Sequence, residues 1–95
     1  MAAYLIAEVE ITDPAAYEEY RKRVPAIITQ YGGKYLARGG KVETKEGGWS
    51  PQRFVILEFP SMDQARKFYD SAEYAPALEI RKKASKSKLI LVEGL

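Results

Sequence analysis

The chain predicts a single α+β domain with elements in the order β-α-β-β-α-β, and three observations carry that prediction. Tyr4–Ile11 and Arg53–Phe59 alternate with the two-residue period of a strand. Segments beginning at Asp13-Pro14 and at Ser61 place apolar residues three and four apart behind residues that cap helices. No repeat or low-complexity linker interrupts this order, so residues 1–95 read as one domain.

In the first strand, Leu5, Ala7, Val9 and Ile11 occupy one face, with Tyr4, Ile6, Glu8 and Glu10 on the other. Asp13 is the expected N-cap of the next helix, and Pro14 suits its first position because its missing N–H has no partner there anyway. Tyr17, Tyr20, Val24, Ile27, Ile28 and Tyr31 form its apolar stripe. Pro25 cannot bond back to the Arg21 carbonyl and is expected to kink the helix, which Gly32 then ends in a left-handed conformation. Lys34–Arg38 reads as a short strand with Tyr35 and Ala37 opposite Leu36 and Arg38, and Gly39-Gly40 as a bulge or bend. The polar stretch Lys41–Gln52 joins it to Arg53–Phe59, with Val42-Glu43-Thr44 able to prolong the strand. Arg53–Phe59 is apolar on both sides and is expected to be central. Ser61-Met62-Asp63-Gln64 fits a capping box ahead of a helix bearing Met62, Ala65, Phe68 and Tyr69. A further helix is expected over about residues 73–83 with Pro76 in its first turn, and a last strand over Lys88–Glu93.

This order is the ferredoxin-like one, an antiparallel four-stranded sheet with helices on one face. The other face then carries Tyr4, Ile6, Leu36, Phe54, Ile56 and Ile90. So much apolar surface predicts sheet-to-sheet pairing with a second copy, a homodimer.

Composition narrows the chemistry. A net charge of +2 does not by itself imply nucleic acid or an anionic membrane. With no cysteine and no histidine, thiol nucleophiles, disulfides, thiolate sites and the commonest general base are all excluded. No metal site and no cofactor are expected. The N-terminal segment has neither the basic region nor the apolar run of a signal peptide, and nothing resembles a membrane span, so a cytoplasmic location is expected.

Ile11-Thr12-Asp13-Pro14, Tyr31-Gly32-Gly33, Arg38-Gly39-Gly40, Glu46-Gly47, Arg53, Glu58-Phe59-Pro60, Ser71 with Tyr74, Arg81 and Val92-Glu93-Gly94 follow one another over nearly the whole chain. In this the sequence resembles the domain of unknown function 1330 family. The resemblance implies the dimeric α/β-barrel superfamily, where two ferredoxin-like sheets close into a barrel. That superfamily spans haem-degrading and cofactor-independent monooxygenases, chlorite-dismutase-like proteins, muconolactone isomerases and ligand-sensing domains. The histidine-ligated haem branches need an axial histidine, which this chain lacks.

The residues that bear chemistry are charged or aromatic. Glu8 and Glu58 are the candidate proton-transfer residues, and Arg38 is expected to bridge to a carboxylate in the barrel interior. The bland alternative is an ion-pair network that holds a dimer together. Arg38, Arg53 and Trp49, with Tyr74 and Arg81 seven apart on one helical face, are the candidate ligand-binding residues. Trp49 would otherwise anchor the hairpin, and the tyrosines would be core residues with bonded hydroxyls. The Gly-Gly pairs lack the spacing and lysine of a phosphate loop. Arg81–Lys88 reads as a solvated helix end, with nucleic-acid contact as the lesser alternative. Two functions compete on this basis: a homodimer whose cleft binds a small anionic or aromatic molecule, with monooxygenase- or isomerase-like turnover without cofactor, and a non-catalytic structural or regulatory dimer.

Overall fold

A computed structural model describes residues 1–95. The elements are β1 (Ala3–Ile11), α1 (Pro14–Gln30), β2 (Lys34–Arg38), β3 (Arg53–Phe59), α2 (Met62–Tyr69), α3 (Ala75–Ala84) and β4 (Ser85–Glu93). The four strands form one antiparallel sheet in the order β2-β3-β1-β4, the ferredoxin-like α+β arrangement. β2 and β3 have the extents expected from their patterns, and β3 is central. β4 starts three residues earlier than expected, because Lys86 and Ser87 pair with Glu10 and Val9.

The caps act as their residue types dictate. The Asp13 side chain accepts from the Ala16 N–H at 3.2 Å, and Ser61 accepts from the Gln64 N–H at 3.1 Å. Only the serine half of the expected box forms. Gly32 has φ +79°, the left-handed turn expected after α1. α1 runs unbroken through Pro25. Pro76 lies in the first turn of α3, where its missing donor costs nothing. Val42-Glu43-Thr44 does not prolong β2, and residues 39–52 form no strand or helix.

Alternation sorts the sheet into two faces. Leu5, Ala7, Val9, Leu57 and Phe59 are buried beneath the helices with Phe68, Tyr74, Ala77 and Ala84. α2 lies against β1, β3 and β4, while α1 packs on α3 and turns Tyr17, Val24 and Ile28 toward the sheet. Between α1 and the sheet the core is incomplete. The opposite face has no helix over it and shows Leu36, Ile90 and Val92 to solvent, Ile90 at 59% exposure. No helix is long and apolar enough to cross a membrane.

One irregularity decides where a charge goes. Tyr35 pairs with Leu57 but Ala37 pairs with Ile56, so an extra residue bulges from β2 between them. Arg38 consequently pairs with Val55 and joins Tyr35 on the helix side. Strict alternation would have sent these two side chains to opposite faces.

Candidate functional site

The gap beneath α1 is a cavity of about 240 Å³. Its floor is the helix-facing row of the sheet, Leu5, Ala7, Val9, Val55, Leu57 and Leu89, and its roof is Tyr17, Tyr20, Val24 and Ile28 of α1. Phe68 and Tyr74 close one wall. Into this apolar space project three guanidinium groups, from Arg38 on β2, Arg53 on β3 and Arg81 on α3. Arg38 is exposed at the edge, Arg53 is half-buried, and Arg81 is only 5% exposed.

None of these three arginines forms a salt bridge. The cavity's one carboxylate, Glu18, pairs with Arg21 at 3.4 Å. Aromatic faces and hydroxyls hold the cations instead. Arg38 lies 4.6 Å from the Tyr35 ring centre, and Arg53 lies 5.8 Å from that of Tyr17. Arg81 Nη1 donates to Ser87 Oγ. The Nε–H groups of Arg53 and Arg81 are buried without any acceptor. A buried charge-bearing donor with no partner is costly, and such a group invites an anion.

Tyr20 and Tyr74 share a hydrogen bond between hydroxyls at 2.8 Å. Burial and the adjoining Tyr74 hydroxyl push the Tyr20 phenol well above its ordinary value. Burial also raises Tyr35, with Arg38 pulling it partly back. For Arg81, burial works against the charge but the neighbouring Tyr74 and Tyr20 oxygens outweigh it, leaving the pKa above the ordinary guanidinium value. Near neutral pH the cavity thus presents the Arg81 cation beside the neutral Tyr20 phenol.

The structure brings Arg38, Arg53, Tyr74 and Arg81 together around one space. It separates them from Glu8, Glu58 and Trp49. Glu8 opposes Phe54, and Glu58 opposes Tyr4, so both carboxylates belong to the uncovered face, four residues apart along the sheet. Glu58 pairs with Lys34 at 3.2 Å. Glu8 accepts from Trp49 Nε1 at 3.2 Å, while the indole stands edge-on to Phe54 with ring centres 5.6 Å apart. Trp49 therefore folds the 39–52 segment onto the open face. The expected carboxylate bridge to Arg38 does not form, because the β2 bulge turns Arg38 to the other side of the sheet. The Arg81–Lys88 run is not one solvated helix end either: α3 stops at Ala84, β4 starts at Ser85, and Arg81 points inward.

Sequence reasoning missed Tyr17, Tyr35 and Ser87 as parts of this site. Tyr17 and Tyr35 carry no signal beyond apolar periodicity, and Ser87 becomes visible only when β4 is extended back to Ser85. No three His, Cys, Asp or Glu side chains gather at one place.

Comparison with known proteins supports the fold. The model of a family described as a domain of unknown function, DUF1330, matches residues 2–95. No curated protein matches the chain. Among solved structures, the chain is similar to the RPA0582 protein of unknown function from Rhodopseudomonas palustris, at 18% identity over 99% of this chain and 82% of that one, with a TM-score of 0.76. It is similar to SnoaB, a cofactor-independent oxygenase from Streptomyces nogalater, at 13% identity over 99% and 93% of the two chains and a TM-score of 0.68. A dimeric ferredoxin-like protein of unknown function from Thermobifida fusca gives 18% identity, 99% and 92% coverage and a TM-score of 0.67. At such identities the likeness is one of fold.

Proposed function

The chain belongs to the DUF1330 family, and from that premise we propose that it binds a small organic anion with an apolar body in the cavity between α1 and the sheet. One observation carries this reading: of the four arginines at a largely apolar cavity only Arg21 meets a carboxylate, and Arg38, Arg53 and Arg81 have none. A guanidinium in such a low-dielectric space attracts an anion far more strongly than one in water.

The same electrostatics bear on chemistry. An acidic phenol or enol held beside Arg53 and Arg81 would ionise more readily, since a neighbouring cation lowers an acid's pKa by about 1–3 units. A cofactor-independent oxygenase or isomerase works through such an anion, and SnoaB lends that reading its fold. With Glu8 and Glu58 on the far face and the Tyr20 phenol raised, the acidified ligand would give its proton to water at the cavity edge, where Arg38 is exposed. A second observation favours homodimer formation through the open face: its Leu36, Ile90 and Val92 are exposed, and the Thermobifida fusca structure of the same fold is described as dimeric. That face serves association equally well in a non-catalytic dimer.

Titration of 4-nitrophenol, followed by its phenolate absorbance, tests the reading. Bound to the wild-type protein, the probe should ionise about 1 pH unit lower than when free. Arg53→Met and Arg81→Met should each reduce that shift. A probe that does not bind, or that binds with its ionisation unmoved, would rule the reading out.

A further inference from the structure

We propose that the cavity is built for a ligand with two acidic oxygen groups, a dianion or di-acid held at two separated anchors; this rests on the anion-binding reading above. The anchors are Arg53 and Arg81, and the sheet register sets Arg53 and the serine that holds Arg81 on either side of β1. Val9 of β1 pairs with Arg53 on one side and with Ser87 on the other. Neighbouring strands lie about 4.8 Å apart, so the α-carbons of Arg53 and Ser87 stand about 10 Å apart across Val9. Arg81 descends from α3 onto the Ser87 hydroxyl, which fixes its guanidinium at the β4 end of this row.

Each guanidinium is held at its far end and unfilled at Nε. Arg53 rests near the Tyr17 ring and against Gly39, where a β-carbon would collide with Nη1. Arg81 is held through Nη1 by Ser87. Both Nε–H donors are buried and have no acceptor. With Arg53 drawn toward Gly39 on the β2 side and Arg81 drawn toward Ser87 on β4, a single carboxylate bound at either anchor leaves the other cation uncompensated. Two acceptors on one compact apolar frame satisfy both. Charge balance points the same way. Five cations, Arg21, Lys22, Arg38, Arg53 and Arg81, line the cavity against Glu18 alone, and Glu18 is already paired with Arg21. The apolar part of the ligand then lies over Val9 and Ala7, toward Leu57 and Phe68.

The test uses the three benzenedicarboxylates (1,2-, 1,3- and 1,4-) and their monomethyl esters, which have nearly the same size but one charge fewer, measured by calorimetry beside 4-nitrophenol. At least one diacid should bind tenfold or more tighter than its own monoester, since a charge-assisted hydrogen bond to a buried group contributes about one to two decades in affinity. Arg53→Met and Arg81→Met should each bring that diacid down to monoester strength and move the monoester much less. The wild-type comparison needs no variant to fold. Equal affinities for every diacid and its ester, with 4-nitrophenol still binding and shifted, would overturn the two-anchor inference and leave the anion reading standing. The same holds if 4-nitrophenol alone binds. If no probe binds, both fall.

Discussion

The two faces of the sheet handle charge in opposite ways. On the uncovered face the two mid-strand carboxylates have partners: Glu58 pairs with Lys34, Glu8 accepts from Trp49, and apolar side chains fill the space between. On the helix side Arg38, Arg53 and Arg81 have no carboxylate partner, and the side chains around them are aromatic, aliphatic or hydroxyl-bearing. A surface whose charges are settled and whose apolar groups are exposed is suited to permanent contact with another surface. A cavity whose charges are unsettled is suited to something that comes and goes. On the reading proposed here, association and ligand binding, which the sequence places in one cleft, are divided by the thickness of a sheet.

Paired substitutions should break the two faces apart. Phe68→Ala removes a fully buried ring stacked 4.5 Å from Tyr74 and 5.2 Å from Phe59. It should lower stability by about 3–5 kcal/mol, independent of protein concentration, as read by urea unfolding. Ile90→Lys, on the open face, should leave monomer stability within about 0.5 kcal/mol. Its effect should appear in sedimentation, as loss of the dimer. If Ile90→Lys sediments like the wild type, the open face is not the interface.

How much of this was legible follows the physics of each feature. Alternation and caps are local, so β1, β2, β3, α1 and α2 could be read from residue types alone. The helix-facing row of β1 follows from the same period. Which side Arg38 faces is not local in that sense. It depends on one extra residue within β2, placed before the Gly39-Gly40 pair where a bulge was expected. The period of two turns a single insertion into a change of face. Trp49 carries two readings in the sequence, ligand wall or hairpin anchor, because it lies in a segment with no periodicity, and only a tertiary contact with Phe54 and Glu8 fixes it as an anchor. The arginines of the cavity were legible as residue types suited to anions, but their lack of carboxylate partners belongs to three dimensions.

Gly39 offers a finer test, because it reaches the cavity without touching the other face. Its φ of +69° disfavours any side chain, and an added β-carbon would lie 2.1 Å from Arg53 Nη1. Gly39→Ala should therefore cost about 1–2 kcal/mol of stability from the left-handed backbone. It should also displace Arg53 and weaken the 4-nitrophenol shift. Gly40 faces open space, and Gly40→Ala should leave that shift unaltered. Were both variants to bind and shift the probe like the wild type, the placement of Arg53 would not matter to the cavity.

The smallest expected effect lies where α1 is tied down. Tyr31 Oη donates to Glu73 Oε1 at 2.6 Å, linking the end of α1 to the segment before α3. The hydrogen bond holds the Glu73 carboxyl below its ordinary 4.5 and the Tyr31 phenol above its ordinary 10.0. A lowered carboxyl stabilises the fold above its unfolded pKa and loses that contribution as pH falls through the folded one. A raised phenol stabilises below its unfolded pKa and loses that contribution as pH rises through the folded one. The difference in Tm between wild type and Tyr31→Phe should accordingly be small and flat between about pH 5 and pH 9, and shrink at both ends. Because a cavity lies between α1 and the sheet, this link and the contact with α3 bear more of its placement than they would for a fully packed helix. Hydrogen exchange in Tyr31→Phe should then quicken in the last turn of α1 and leave β1 and β3 unchanged. Equal quickening in the strands would mean that α1 and the sheet open as one unit, and that the cavity cannot widen without unfolding its floor.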